Sequence, residues 1–306
     1  MMAAFIATLV GSHLLGAINI REIAWLLIAL GGTMLLGLID DHRPLNWKAK
    51  LLFQMLCAWV ACLNLPFQTL GGWAPIALPL SIAMLVAVIN FVNFIDGIDE
   101  ISVAHALPAL AVPLLLVLLS GYNFQWGILS AALIGSLIGF WLWNRHPARI
   151  FLGDAGSLPL GLFLGWLALR LSMEVNPAIG LLILAYPLAD AGSTLVRRAL
   201  AGRTLTQPHR WHAYQQAVDK GLSPRFVALR VGLISSLSGL LAIMAAHTSN
   251  LIITAVIASV VTLAVGWQVL SWILRPSLPS LAPSSSEGVR RNAFNSSADN
   301  DPTRPG

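Results

Sequence analysis

The chain has 306 residues, of which 57% are hydrophobic and only 10% charged, and its mean hydropathy is +0.77. No ordinary soluble domain combines so few charges with so apolar a chain, so the class implied is a polytopic, all-α membrane protein. The formal net charge of +5 has to be read by its placement along the chain, and no nucleic-acid partner is expected.

A hydrocarbon core about 30 Å thick needs roughly 20 apolar residues per helix. The polar breaks cut the chain into ten predicted spans, near residues 2–18, 23–39, 50–65, 75–92, 101–119, 125–143, 158–172, 177–195, 226–246 and 250–273. The opening "MMAAFIATLVGSHLLGA" lacks a basic leader and a small-residue cleavage site, so it reads as a membrane helix and not as a removable signal. Cys57 and Cys62 lie five apart in the third span and do not share a helix face, which makes them packing residues. Residues 1–275 form the membrane domain. From Pro276 onward the tail is rich in Ser, Pro, Asn and Arg and is expected to be disordered.

Loops on the cytoplasmic side carry the excess of Lys and Arg. If the loop after the second span is cytoplasmic, that side holds all but Arg21 and Arg170 of the 18 Lys and Arg, and both termini are cytoplasmic. The same face then collects "DDHRP" (40–44), "NFVNFIDGIDE" (90–100), "NRHPARIFLGDAGS" (144–157) and "RRALAGRTLTQPHRWHAYQQ" (197–216). The opposite loops, "NLPFQTLGG", "SGYNFQ", "MEVNP" and "HTSN", are short and nearly uncharged.

Those clusters gather Asp40, Asp41, Asp96, Asp99, Glu100, Asp154 and Asp190 beside Asn90, Asn93, His209, Arg210 and His212. Carboxylates and carboxamides are hard oxygen donors for Mg²⁺, which binds one or two carboxylates and leaves its other positions to water and phosphates. Cationic side chains would hold the remaining phosphate oxygens. A metal-assisted diphosphate site follows.

Each cluster also has a plainer reading. Asp40 and Asp41 fit a solvated helix end; Asn90, Asn93 and Asp96, stepping by three, fit interhelical hydrogen bonds. Asp154 and Ser157 fit an N-cap before the next span, although a helix start with small residues also suits a phosphate. The histidines of "PHRWHAYQQ" fit an interfacial loop anchored by Trp211 and Tyr214, and Asp190 fits a local pair with Arg197 or Arg198. Four separate loops placing such residues on one face is the observation that favours function.

The set "GLIDDHRPL", "NFVNFIDGIDE", "RIFLGDAGSLPLG", "YPLADAGSTLVRR" and "PHRWHAYQQAV" resembles the polyprenyl-phosphate N-acetylhexosamine-1-phosphate transferases over about residues 30–220. The "PHRWHAYQ" loop resembles the branch that initiates O-antigen or related surface polysaccharides; the peptidoglycan branch typically has consecutive histidines there. The resemblance implies transfer of a sugar 1-phosphate from a UDP-N-acetylhexosamine to undecaprenyl phosphate, giving undecaprenyl diphosphate sugar and UMP, with Mg²⁺, in the bacterial inner membrane with the site facing the cytoplasm. The lipid bilayer is the other partner, and a homodimer stays open.

By the same resemblance Asp154 is the foremost Mg²⁺ ligand, with Asp41 beside it. Asp40 and Asp41 orient or deprotonate the lipid phosphate; Asn90, Asn93, Asp96 and Asp99 form the nucleotide side; His209, Arg210 and His212 grip the diphosphate and sugar. A lipid phosphate with its second pKa near about 6 hardly needs a strong base, so direct attack is favoured over an aspartyl intermediate. Three departures stand out. Pro44 replaces a third Asp or Asn, Glu100 replaces a Gly after "DGID", and relatives usually have eleven spans, the first leading into a segment with Pro, Arg and a Gly cluster. The chain is therefore expected to begin after that segment and to be weakly active or inactive. The competing functions are a peptidoglycan-type transferase of the same family, an inactive membrane scaffold, and a transporter, which would show related halves and midplane charges.

Overall fold

The computed structural model describes residues 1–122, 124–204, 207 and 209–276. Among these the chain is all-helical, with no strand. The predicted tail, apart from Pro276, lies outside the described residues. Seven helices are long and apolar enough to cross a membrane: Ile23–His42, Phe67–Ile95, Ile101–Ser120, Phe124–Asn144, Asp154–Glu174, Pro224–Ala246 and Ile252–Leu274. The protein is a multi-pass membrane protein.

The helices are α1 (Met2–Leu14), α2 (Ile20–His42), α3 (Trp47–Cys62), α4 (Ala74–Ile95), α5 (Ile101–Ser120), α6 (Phe124–Asn144), α7 (Asp154–Glu174), α8 (Ala178–Ile183), α9 (Ala185–Leu200), α10 (Ala213–Asp219), α11 (Pro224–Ala246) and α12 (Leu251–Leu274). Three predicted spans come out differently from the rest. α1 has 13 residues and reaches about 20 Å at 1.5 Å per residue, and α3 has 16. The predicted span 177–195 is broken at Leu184 into α8 and α9. Pro187 lies in the first turn of α9, where its missing N–H costs no helical bond, so it suits a helix start at this break, whereas Pro108 and Pro113 are accommodated inside α5.

α7 is the central helix. It is apolar all round and buried along almost its whole length, as a helix without a preferred face must be. Small residues let neighbours approach its backbone. A Cβ on Gly161 would meet the Ile89 backbone of α4, and one on Gly37 of α2 would overlap the backbone of Asp154 and Ala155. The outer helices instead expose Leu229, Leu233, Ile252, Leu263 and Trp267 to the surrounding medium, as lipid-facing helices do.

Candidate active site

Asp40, Asp41, Lys50 and Asn93, from three different helices, gather around the first turn of α7. Gly153 precedes it with φ +64°, a left-handed conformation that favours glycine. The Asp41 carboxylate, from the last turn of α2, accepts hydrogen bonds from the backbone N–H groups of Asp154 (3.0 Å) and Ala155 (3.1 Å). It therefore caps α7, satisfying two N–H groups that no helical carbonyl can reach and complementing the positive helix end. The stretch "GLIDD" reads as one device in which Gly37 permits the approach and Asp41 fastens it.

Asp154 itself turns toward α3 and α4. Its Oδ2 accepts from Lys50 Nζ at 2.5 Å and its Oδ1 from Asn93 Nδ2 at 2.6 Å. Lys50 Nζ also donates to Asp40 Oδ2 at 2.9 Å, and Asn93 Nδ2 to Ser157 Oγ at 2.9 Å. The three ionic side chains are only 17–21% exposed. Asp40, Lys50, Asp154 and Asn93 thus form one continuous network across four helices.

Asn90 donates to Gln54 Oε1 of α3 (2.8 Å), an interhelical bond, and to the Val86 carbonyl of its own helix (2.8 Å). Asp96 follows the end of α4 and accepts the Ser102 hydroxyl. Burial pushes its carboxyl up to about 7, the Ser102 bond opposing and the charges of Asp154 and Asp41 adding to the rise. Asp99 accepts from His146 Nδ1 (2.7 Å) and the Ala148 N–H (3.1 Å). Glu100 accepts from the His146 N–H (2.8 Å) and Trp141 Nε1 (3.2 Å). These two acids hold the α6–α7 loop in place. Glu100 also has φ +68°, which gives a physical reason for a glycine at that position; here its two side-chain bonds offset the strain.

The loop before α10 is fastened to α9. Asp190, fully buried, accepts from the N–H groups of Ala213 (2.8 Å) and Tyr214 (3.2 Å) and from the Tyr186 hydroxyl (2.9 Å). Arg197 Nη2 donates to the Trp211 carbonyl at 2.7 Å, and Arg198 to that of Thr204. Among the described residues Asp190 forms no ion pair with Arg197 or Arg198, so the local pairing is replaced by three separate ties to one loop.

Two cavities meet at Asn93. One of about 620 Å³ is walled by Asp40, Lys50, Asn90, Asn93, His209 and His212; the other, about 360 Å³, by Asn93, Asp96, Asp99, Gly153 and Asp154. Arg210 lines neither: it makes an exposed two-point ion pair with Asp219, at 2.6 and 3.2 Å. Burial, then the neighbouring cations, lowers His209 to about 4, so its ring is neutral at physiological pH. Lys50 and Gln54 complete the site although no motif marks them, and Ser157, which the sequence offers as an N-cap, accepts from Asn93 instead.

The donor set suits a hard divalent cation. Asp154, Asp40, Asp96 and Asn93 offer carboxylate and amide oxygens, and the Lys50 ammonium shows that Asp40 and Asp154 converge on positive charge. Among the described residues no three His, Cys, Asp or Glu groups come together to hold an ion by themselves, so water and substrate oxygens would have to fill most positions of a bound Mg²⁺.

Fold and site together define a multi-pass helical membrane protein with an acid-lined site at the ends of its helices. Residues 23–172 match the model of glycosyl transferase family 4. It is 31% identical over 226 residues to the probable undecaprenyl-phosphate N-acetylglucosaminyl 1-phosphate transferase of Bacillus subtilis, covering 69% of this chain and 62% of the relative. It is 31% identical over 245 residues to the decaprenyl-phosphate N-acetylglucosaminephosphotransferase of Mycolicibacterium smegmatis (68% and 60%). The phospho-N-acetylmuramoyl-pentapeptide-transferase of Halalkalibacterium halodurans is 32% identical over 176 residues (50% and 53%). The chain thus spans about six-tenths of the length of the first two relatives.

Proposed function

We propose that the protein transfers N-acetylhexosamine 1-phosphate from a UDP-sugar to undecaprenyl phosphate, giving undecaprenyl diphosphate sugar and UMP, as the first membrane step of O-antigen or related polysaccharide synthesis. The observation that carries this reading is the Asp40–Lys50–Asp154–Asn93 network opening on two adjoining cavities at the helix ends. A lipid phosphate is confined to headgroup depth and a nucleotide sugar to the cytosol, so their meeting place is a cleft of this kind. The distribution of Lys and Arg supports a cytoplasmic face for that end, in the bacterial inner membrane, and a chain that crosses ten times with α1, α3 and α8–α9 as the shorter or broken crossings.

Mg²⁺, when bound through Asp154, would neutralise the diphosphate and align it for in-line attack. The chain's own residues do the rest. Lys50 offsets the charge of the acids while the site waits for substrate and can turn to a phosphate oxygen. Asp40 faces the larger cavity and orients the lipid phosphate. Asp41, holding the α7 terminus, fixes the position of Asp154. Asn93 orients the Asp154 carboxylate and faces both cavities. The neutral His209 offers a hydrogen bond, not a charge, to the sugar side.

The similarity to a phospho-N-acetylmuramoyl-pentapeptide-transferase favours a peptidoglycan-type donor as the second reading; the absence of consecutive histidines in "PHRWHAYQQ" argues for the first. The test is UMP release from UDP-N-acetylglucosamine by membranes containing the protein. Release that depends on added undecaprenyl phosphate and Mg²⁺ is the expected result. Release only from UDP-N-acetylmuramoyl-pentapeptide selects the second reading, and a protein that neither releases UMP from nor binds either donor rejects both.

A further inference from the structure

We propose that Asp190 is a positioning residue for the sugar-nucleotide side of the site, acting through the loop that carries His209 and His212. The inference rests on the transferase reading above. α9 presents Asp190, Thr194, Arg197 and Arg198 at spacings of three and four, hence on one face, and every one of them reaches the same loop. Thr194 Oγ1 and Arg197 Nη2 meet the Trp211 carbonyl at 3.4 and 2.7 Å, and the Arg198 guanidinium lies 5.6 Å over the Trp211 ring. Asp190 is the innermost of these ties and the only carboxylate among them.

Its oxygens receive the first two N–H groups of α10, those of Ala213 and Tyr214, while Tyr186 holds the carboxylate from behind. Fixing those two residues fixes a stack of rings. Tyr214 lies 5.9 Å from His212 at 24°, and His212 lies 5.0 Å from His209 at 28°. Tyr214 then donates from its hydroxyl to the Phe94 carbonyl at 2.9 Å, one residue from Asn93. Gly97 leaves room for that hydroxyl, which a Cβ would overlap.

Asp190 is therefore joined to both walls of the larger cavity, through backbone to the two histidines and through Tyr214 to the end of α4. His212 Nδ1 is buried and sits 3.4 Å from Asp190 Oδ1. The ring is thus held by stacking, by this approach to the carboxylate and by the backbone that Asp190 fixes. The carboxylate lines neither cavity and acts through these neighbours.

Asp190→Asn preserves size but turns an acceptor oxygen into a donor facing N–H groups. Since hydrogen bonds to a charged group are worth about 1.5–3 kcal/mol each, the KM for UDP-N-acetylglucosamine should rise roughly ten- to hundredfold. The KM for undecaprenyl phosphate should stay within a factor of about two, because Asp40 and Lys50, which face that phosphate in the same cavity, are held by bonds to Leu45, to each other and to Asp154 and not by the loop. Trypsin cleavage after Arg210, measured without substrate, should accelerate, and UDP-N-acetylglucosamine should no longer slow it. Tyr186→Phe, which leaves both backbone bonds, should give a smaller shift in the same direction and carries the test if Asp190→Asn fails to insert. Wild-type cleavage and wild-type KM overturn the proposal, and so does an equal rise in both KM values, which is what general loosening would produce. If the unaltered protein neither releases UMP nor is protected by UDP-N-acetylglucosamine, the transferase reading falls, and the cleavage rates alone decide whether Asp190 holds the loop.

Discussion

Lys50→Met keeps most of the side-chain volume of Lys50 and deletes its charge, which isolates what the ammonium does for the acid cluster. Its Nζ lies 2.5 Å from Asp154 and 2.9 Å from Asp40, and all three side chains are 17–21% exposed. An exposed pair contributes about 0–1 kcal/mol, and breaking a fully buried one costs about 3–5 kcal/mol. Four-fifths burial places the loss between them, at about 1–3 kcal/mol. At roughly 2–4 °C of melting temperature per kcal/mol for a domain of this order of size, the detergent-solubilised variant should melt about 2–12 °C lower in EDTA. Mg²⁺ should then restore more stability to the variant than it adds to the unaltered protein, because the variant leaves Asp40 and Asp154 with no cation between them. A variant that melts within about 1 °C of the unaltered protein in EDTA would refute the argument, for the network would then be a solvated surface feature. Equal stabilisation of both proteins by Mg²⁺ would remove these carboxylates as the metal's seat.

Asp154→Asn should lower UMP release about a hundredfold or more while the protein still inserts, since losing several kcal/mol of charge stabilisation has that effect; turnover like the unaltered protein's at low Mg²⁺ would end its assignment as a ligand. Gly37→Ala should cost at least the roughly 1–3 kcal/mol of ordinary overpacking, because the new methyl meets the backbone of Asp154 and Ala155 and not a movable side chain; an unchanged melting temperature would mean that α2 and α7 do not approach as described. Burial raises the Asp96 carboxyl from 3.8 to about 7, so between those pH values the folded protein holds a proton that the unfolded chain has released, and stability falls as pH rises through the window. Asp96→Asn should therefore flatten the melting-temperature profile between pH 3.8 and about 7 in EDTA, and parallel profiles for the two proteins would contradict the burial.

The class of fold was legible because composition and 20-residue apolar runs are imposed by the bilayer itself, whatever the helices pack against. The places where span and helix part company have local causes. At 177–195 hydropathy is continuous, but the helix breaks at Leu184 and restarts with Pro187 in the first turn of α9, and the segment after it changes character, with Asp190, Thr194, Arg197 and Arg198 on one side. That residue was a readable signal: a proline two residues after Ala185 marks a helix start, and hydropathy outweighed it. The central place of α7 was less legible. Its apolarity on every side is a property of buried helices, yet a lipid-exposed helix is apolar as well, and it is glycines such as Gly37, Gly161, Gly165 and Gly180 that hint at close neighbours.

Site residues were legible as a set because acids and amides are expensive in a span and so stand out; their division of labour was not. Asp40 and Asp41 are adjacent on a helix and point about 100° apart, so they cannot face the same partner. Which of them meets Lys50 and which caps α7 depends on how α2 is rotated against a helix that begins more than a hundred residues later. Asp190 presents the same difficulty over a shorter range. Its cations at 197 and 198 are near enough in sequence to invite a pair, but they carry their own loop carbonyls, and the carboxylate finds backbone N–H groups at 213 and 214. In both cases the carboxylate goes to the start of a helix, where unsatisfied N–H groups and the helix dipole attract it. An acid in the polar loops of a helical membrane protein thus has two competing destinations, a cation or a helix N-terminus, and residue type alone does not decide between them. Small residues at the approach point, such as Gly37 opposite Asp154, are the sequence feature that favours the second.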